Sequence, residues 1–329
     1  MKKTPLDRRI DAFKQFGTGF HRVTPLAFAW HIPQPRFFAL QEAVGYFIGG
    51  GITWLERKRD ELRNVTPNGL IVPKRDKILE YNLVVRRFAE VINGMMIGHL
   101  IDSWHVPLNV RVKYGDADPA NLLRAHPTEH PHSDSWAGES AESVTVHIPL
   151  FGDTVGNRVD LFYPPDDFEE AWLGPRPTYE EGARDIAGRY KRVDYVTPKG
   201  SLLLMDFSTL HASVRDAGAG TRVSIDTTFV LRKGGSQGEV VHPWRVGERA
   251  SHEVLSGIGE MHLMYFPDFA EQQVDSRGGF KHPTNLVLRR IDGRTPEPLY
   301  LHDVPLSHEF SHTMPQENHL NTLRPGEEP

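Results

Sequence analysis

The sequence predicts an α+β fold with a mainly β core and helices packed at its N-terminal side. Two contrasting patterns support this. From about 36 to 104 apolar residues recur at three- and four-residue intervals, whereas from 105 to 232 they mostly alternate with polar ones. The first period places side chains on one face of a helix, and the second places them on one face of a strand. With 329 residues, the chain is long enough to bury a sizeable core.

In the helical stretch, Ile78, Leu79, Leu83, Val84, Phe88, Val91, Ile92, Met95 and Met96 form an apolar stripe. Arg86, Arg87 and Glu90 lie between them, as expected of a helix packed on a sheet. The first strand expected is Leu108 to Tyr114. Ser143 to Leu150 alternates next, with Val144, Val146, Ile148 and Leu150 on one face. A polar insertion, 166–192, interrupts the strands. Thr178 and Glu181 have capping-box spacing for a short helix within it, and the insertion is expected to be a mobile cover at the rim of the core. Lys199-Gly then opens an apolar strand running to His211. After the Gly-rich turn 216–221, Arg222 to Val230 alternates again, with Arg222, Ser224, Asp226 and Thr228 on its polar face. Leu286 to Ile291 suggests one more strand, and the tail after about Pro305 is polar and expected to be flexible. The chain is thus read as one domain, 1–329, in three parts: a helical region 1–104, a β core 105–232, and an extension 233–329.

Composition excludes several function classes. A net charge of −5 gives no basic footprint for nucleic acid. The absence of cysteine excludes disulfides, thiol catalysis and cysteine-ligated zinc. No stretch is apolar for long enough to span a bilayer, and the basic N-terminus lacks the apolar run of a secretory signal. The expectation is a cytoplasmic protein with neither nucleic-acid nor membrane partners.

The chemistry-bearing pattern is His132-x-Asp134, with His211 79 residues after the first histidine and Arg222 a further 11 on. If His132 and Asp134 lie on a strand, they share a face and can reach one ion. Two histidines and a carboxylate form a facial triad suited to non-haem Fe(II), leaving positions open for substrate and oxygen. Arg222 offers a fork of donors suited to a carboxylate.

These residues carry a resemblance. His132-Ser-Asp134, the run Gly200-Ser-Leu-Leu-Leu-Met-Asp-Phe-Ser-Thr-Leu-His211 and Arg222-x-Ser224 resemble the Fe(II)/2-oxoglutarate-dependent oxygenase superfamily over about two-fifths of the chain. The resemblance implies a double-stranded β-helix, the jelly-roll barrel also seen in cupins. It implies Fe(II) held by His132, Asp134 and His211, 2-oxoglutarate chelated beside it, and the far carboxylate held by Arg222 with a hydrogen bond from Ser224. O2 is the remaining co-reactant. Related halogenases have a small residue where this chain has Asp134, so a hydroxylase or oxidative cyclase is implied.

For the substrate, Trp136 is the candidate wall, on the same side as Asp134 if the strand continues. Arg111 and Lys113 share a face and could hold an anionic or polyhydroxylated group. A small polar or carbohydrate-like metabolite from a biosynthetic pathway is expected. His147 lies on the polar side of its strand with Thr145; it could line the cavity, but is read first as a hydrogen-bonded structural histidine, and His126 and His130 are read as loop residues. Two alternatives remain open. A cupin-type metal site would use His130-x-His132, but positions 136 and 137 are Trp and Ala, and Glu139 falls too late. The other is a non-catalytic metabolite-binding jelly roll.

Overall fold

Alternation along a single strand shows how the layers are arranged in the computed structural model of the chain. The strand β8 (Ser201–Asp206) places Leu202 and Leu204 in one apolar cluster and Leu203 and Met205 in another. The sheet containing it is therefore covered on both faces, by helices on one side and by a second sheet on the other. The structure describes 2–58 (without 15, 17 and 18), 69–71, 78–97, 100–105, 108–117, 119–122, 126–137 and 143–231. It also describes short strands at 249–251, 261–265, 286–290 and 298–299. Most of the 233–329 extension, including the tail expected to be flexible, lies outside the described residues.

The larger sheet has eight strands. β1 (His21–Thr24), β2 (Ala27–His31), β8, β5 (Ser143–Gly152) and β10 (Arg222–Leu231) follow one another, then β3 (Ile101–His105) and β11 (Arg249–Ser251), and β4 (Asn109–Lys113) also pairs with β10. The smaller sheet is β7 (Lys191–Val193), β6 (Asn157–Tyr163) and β9 (Leu210–Arg215). All pairings in both sheets are antiparallel. Among the described residues the two sheets do not close into a barrel. The loop before β5 is tied to the smaller sheet where His132 pairs with His211 of β9.

The helices cover the outer face of the larger sheet. α1 (Pro5–Phe13) begins at a Thr4 and Asp7 capping box. α2 (Gln34–Ile48) and α4 (Ile78–Gly94) bury their apolar residues in one cluster with Val144, Val146, Ile148, Leu150, Val223 and Ile225. Of the foreseen stripe, Val84, Phe88, Val91 and Ile92 are buried there, whereas Met96 lies past the helix end and is exposed. Phe88 meets Phe229 at 6.3 Å between ring centroids, and the Gln41 amide donates to the Leu150 carbonyl at 2.6 Å. Each such aliphatic side chain contributes about 1.5–3 kcal/mol on burial.

Three expectations need correction. The helical region contains β1 and β2, which extend the large sheet, and its end, read as helix to Trp104, is strand from Ile101. The β core therefore recruits strands from before residue 105. The apolar run before His211 is split, because Phe207 to Thr209 turn the chain from β8 in one sheet to β9 in the other. The insertion is also not laid over a rim. Phe168, Trp172, Leu173, Tyr179, Ile186 and Tyr190 are buried in the main core. Its helix α6 (Tyr179–Asp185) starts as the sequence indicated, with the Thr178 hydroxyl accepting from the Glu181 amide at 3.1 Å. The strand from Leu286 is present as β13 (Leu286–Arg290), between β12 (Met261–Tyr265) and β14 (Pro298–Leu299). No described helix is long and apolar enough to cross a membrane.

Candidate metal centre

His132 and His211 meet as a two-residue antiparallel bridge between the loop before β5 and the strand β9. Their amides and carbonyls exchange bonds of 2.9 and 2.8 Å. The strand expected through His132-x-Asp134 is not there, because Asp134 starts a 3-10 turn, Asp134–Ala137. That turn still brings the carboxylate back to the histidines. Asp134 Oδ1 lies 3.7 Å from His132 Nε2 and 3.7 Å from His211 Nε2. Among the described residues these three form a group whose ligand atoms all lie within 4.8 Å of one another.

The second shell orients the site. His132 Nδ1 lies 2.7 Å from the His130 carbonyl, so this nitrogen carries the proton and Nε2 presents a lone pair to the cluster. Burial, followed by the neighbouring His211, holds the His132 pKa well below the ordinary histidine range. Its Nε2 is buried with no hydrogen-bond partner among the described residues, a costly arrangement unless something else binds there. The Thr145 hydroxyl donates to the other Asp134 oxygen at 3.4 Å. Two imidazoles and one carboxylate fit a divalent first-row metal and in particular the facial set favoured by Fe(II).

A polar wall flanks the cluster. β10 runs between β4 and β5, with Arg222 opposite Lys113, Ser224 opposite Arg111 and Pro149, and Asp226 opposite Asn109 and His147. Arg222 is fully buried, and its Nη1 donates to the Asn157 carbonyl at 3.3 Å while Nε has no partner. Among the described residues no carboxylate forms an ion pair with it. Burial first, then Arg215, pushes its pKa down to about 10. A buried cation left this way fits a bound anion. Lys113 is also buried, donating to the Thr128 hydroxyl at 2.7 Å with Glu129 at 3.5 Å. Burial pushes its pKa down to about 7.

The two candidate substrate contacts have other roles. Trp136 is 1% exposed, and its indole N–H donates to the Trp172 carbonyl at 2.7 Å. Its ring lies where any Cβ on Gly182 would be, 2.4 Å away. It is a core residue locking the ligand loop to the insertion, because the 3-10 turn redirects it away from the strand face assumed for it. Arg111 is held by Asp226 through Nε, at 2.6 and 2.8 Å, so it serves that carboxylate. His126 and His130 are loop residues, as expected.

Sequence reasoning missed Tyr179. The insertion places this buried ring face to face with His132, with centroids 4.1 Å apart and planes at 19°, and edge-on to His126 at 4.7 Å. Only its place just after the Thr178 cap could have signalled a fixed position. His147 was seen but misread. Far from being hydrogen-bonded, both of its ring nitrogens are buried with no partner among the described residues.

No protein-family model matches the chain, and no curated protein matches it in sequence. The chain is similar to several solved structures. AviO1 from Streptomyces viridochromogenes Tue57 has a TM-score of 0.39 and 14% identity, over 72% of this chain and 99% of that one. The non-haem alpha-ketoglutarate-dependent carbocyclase SnoK from nogalamycin biosynthesis has a TM-score of 0.37 and 13% identity, over 73% and 92%. The epimerase SnoN, solved in complex with Fe3+, alpha-ketoglutarate and nogalamycin RO, has a TM-score of 0.37 and 16% identity, over 75% and 94%. These likenesses are distant, and the chemistry of the site rests on its own residues.

Proposed function

We propose that the chain is a non-haem Fe(II)/2-oxoglutarate-dependent oxygenase that hydroxylates or oxidatively cyclises a small polar metabolite. On this reading the two facing sheets are the halves of a double-stranded β-helix. One observation carries the proposal. Among the described residues His132 Nε2 has no hydrogen-bond partner and faces Asp134 and His211, while Arg222, buried and with no ion-pair partner among those residues, lies close enough to the same His147 as His211 to bear on its charge. A metal-binding cluster beside an anion site is what joint binding of iron and a 2-oxo dicarboxylate requires.

His132, Asp134 and His211 would hold the metal through Nε2, a carboxylate oxygen and Nε2. Bound iron and 2-oxoglutarate would together supply the oxygen activation and the reducing electrons. The chain's own residues do the positioning. The His130 carbonyl keeps the His132 proton on Nδ1, and Tyr179 holds the ring plane. Arg222 would take the far carboxylate, with Ser224 beside it on the same strand face. The apolar cluster of Ala27, Leu161, Leu203 and Met205 between the sheets keeps water from the inner end. The test is metal analysis of anaerobically purified protein together with 2-oxoglutarate-dependent succinate formation. Wild type should bind one iron per chain and form succinate, and His211→Ala should do neither. Full iron and activity in His211→Ala would overturn the assignment.

A further inference from the structure

Among the described residues His147 is the one buried histidine with both ring nitrogens unpaired, and it has no role in the metal cluster. It lies on the inner face of β5, two residues beyond Thr145, which itself reaches Asp134. Its register partners cannot serve it. Across β10 it faces Asp226, whose carboxylate is turned to the other neighbouring strand and held by Arg111 and Asn109. Across β8 it faces Leu203, which is aliphatic. Of the groups close enough to bear on its charge, Arg222 and Arg111 offer only donors, and the Nε2 of His211 is turned to Asp134. With cations around it and no water access, the ring stays neutral and keeps one N–H donor and one acceptor nitrogen. The missing partner must therefore contain an acceptor oxygen. A bound carboxylate that also answers Arg222 is the simplest such group.

Resting on the function proposed above, we propose that His147 is a binding residue for the dicarboxylate cosubstrate. Its ring N–H donates to a cosubstrate oxygen between the Arg222 clamp and the metal. The residue thereby sets the position of the 2-oxo acid, while its neighbours Thr145 and Asp226 bond elsewhere, to Asp134 and Arg111.

The test is anaerobic titration of 2-oxoglutarate into Mn(II)-loaded full-length protein by calorimetry, for wild type, His147→Phe and His147→Gln, with Mn(II) affinity measured in parallel. Phenylalanine keeps the ring and removes the donor, so 2-oxoglutarate affinity should fall by about ten- to a hundredfold. Mn(II) affinity should stay unchanged. Glutamine restores a donor at similar reach and should recover most of the loss. Wild type that binds 2-oxoglutarate alongside His147→Phe that binds it equally well overturns the inference and leaves the proposed function standing. Wild type that binds no 2-oxoglutarate overturns both. Should His147→Phe fail to fold, ring resonances of isotope-labelled histidine in Zn(II)-loaded wild type take its place. The signal absent from His147→Gln should move on adding 2-oxoglutarate, and a stationary signal overturns the inference.

Discussion

Replacing Arg222 with methionine should stabilise the ligand-free protein while abolishing its response to 2-oxoglutarate. The guanidinium is 2% exposed, with one bond to a carbonyl and an unpartnered Nε. Its pKa is pushed down to about 10, which, at about 1.4 kcal/mol per pH unit, amounts to a burden of about 3 kcal/mol on the folded state. The sign follows from linkage. The unfolded chain holds this proton more tightly, so the burden is present in full at neutral pH and is relieved only as pH rises past about 10. Methionine removes the charge, keeps most of the packing, and gives up one hydrogen bond worth about 1 kcal/mol. The expected net gain is about 1–3 kcal/mol by urea unfolding of the metal-free proteins at neutral pH. With metal present throughout, adding 2-oxoglutarate at about a hundredfold excess over its Kd should stabilise wild type by about a further 2.7 kcal/mol and the variant by nothing. A ligand-free variant that loses more than about 2 kcal/mol would mean that Arg222 is a structural cation with a protein partner. The same variant still stabilised by 2-oxoglutarate would remove Arg222 from the clamp.

Three further outcomes are expected. Lys113, with a pKa pushed down to about 7, binds its proton less tightly folded than unfolded. Wild-type stability should therefore rise relative to Lys113→Met as pH increases from about 7 to 9, by up to about 1.4 kcal/mol per unit, and parallel pH profiles in urea unfolding would refute this. Tyr179→Ala, which removes the ring stacked on His132, should weaken Co(II) binding about 10–100-fold and alter the Co(II) absorption bands, while Tyr179→Phe should stay close to wild type. Unchanged spectra in the alanine variant would make Tyr179 mere packing. Trp136→Ala should cost about 3–5 kcal/mol in urea unfolding, because it empties the space against Gly182 and strands the Trp172 carbonyl. A stable variant with only a raised substrate KM would restore Trp136 as a pocket wall.

The sequence by itself determined the parts governed by local periodicity. The stripe from Ile78, short of Met95 and Met96, became α4, and the alternating runs became β4, β5 and β10 with the expected faces inward. It also brought out His132, Asp134 and His211, because ligand residue types at characteristic offsets do not depend on knowing the backbone between them. What lay beyond local reading was set by long-range pairing. β1 and β2 join the sheet only because β8, far along the chain, offers an edge to β2. The short turn after His132 is 3-10 because His132 is pinned to His211 by two backbone bonds, which turned Trp136 into core. The insertion looked polar, yet it buries a tyrosine on a metal ligand, since its few apolar residues are spaced to meet a surface the sequence does not display. Partnership is likewise a tertiary fact. Asp226 could have served His147 or Arg111, and only the packing of β10 between β4 and β5 decided that Arg111 took it and left the His147 ring nitrogens bare.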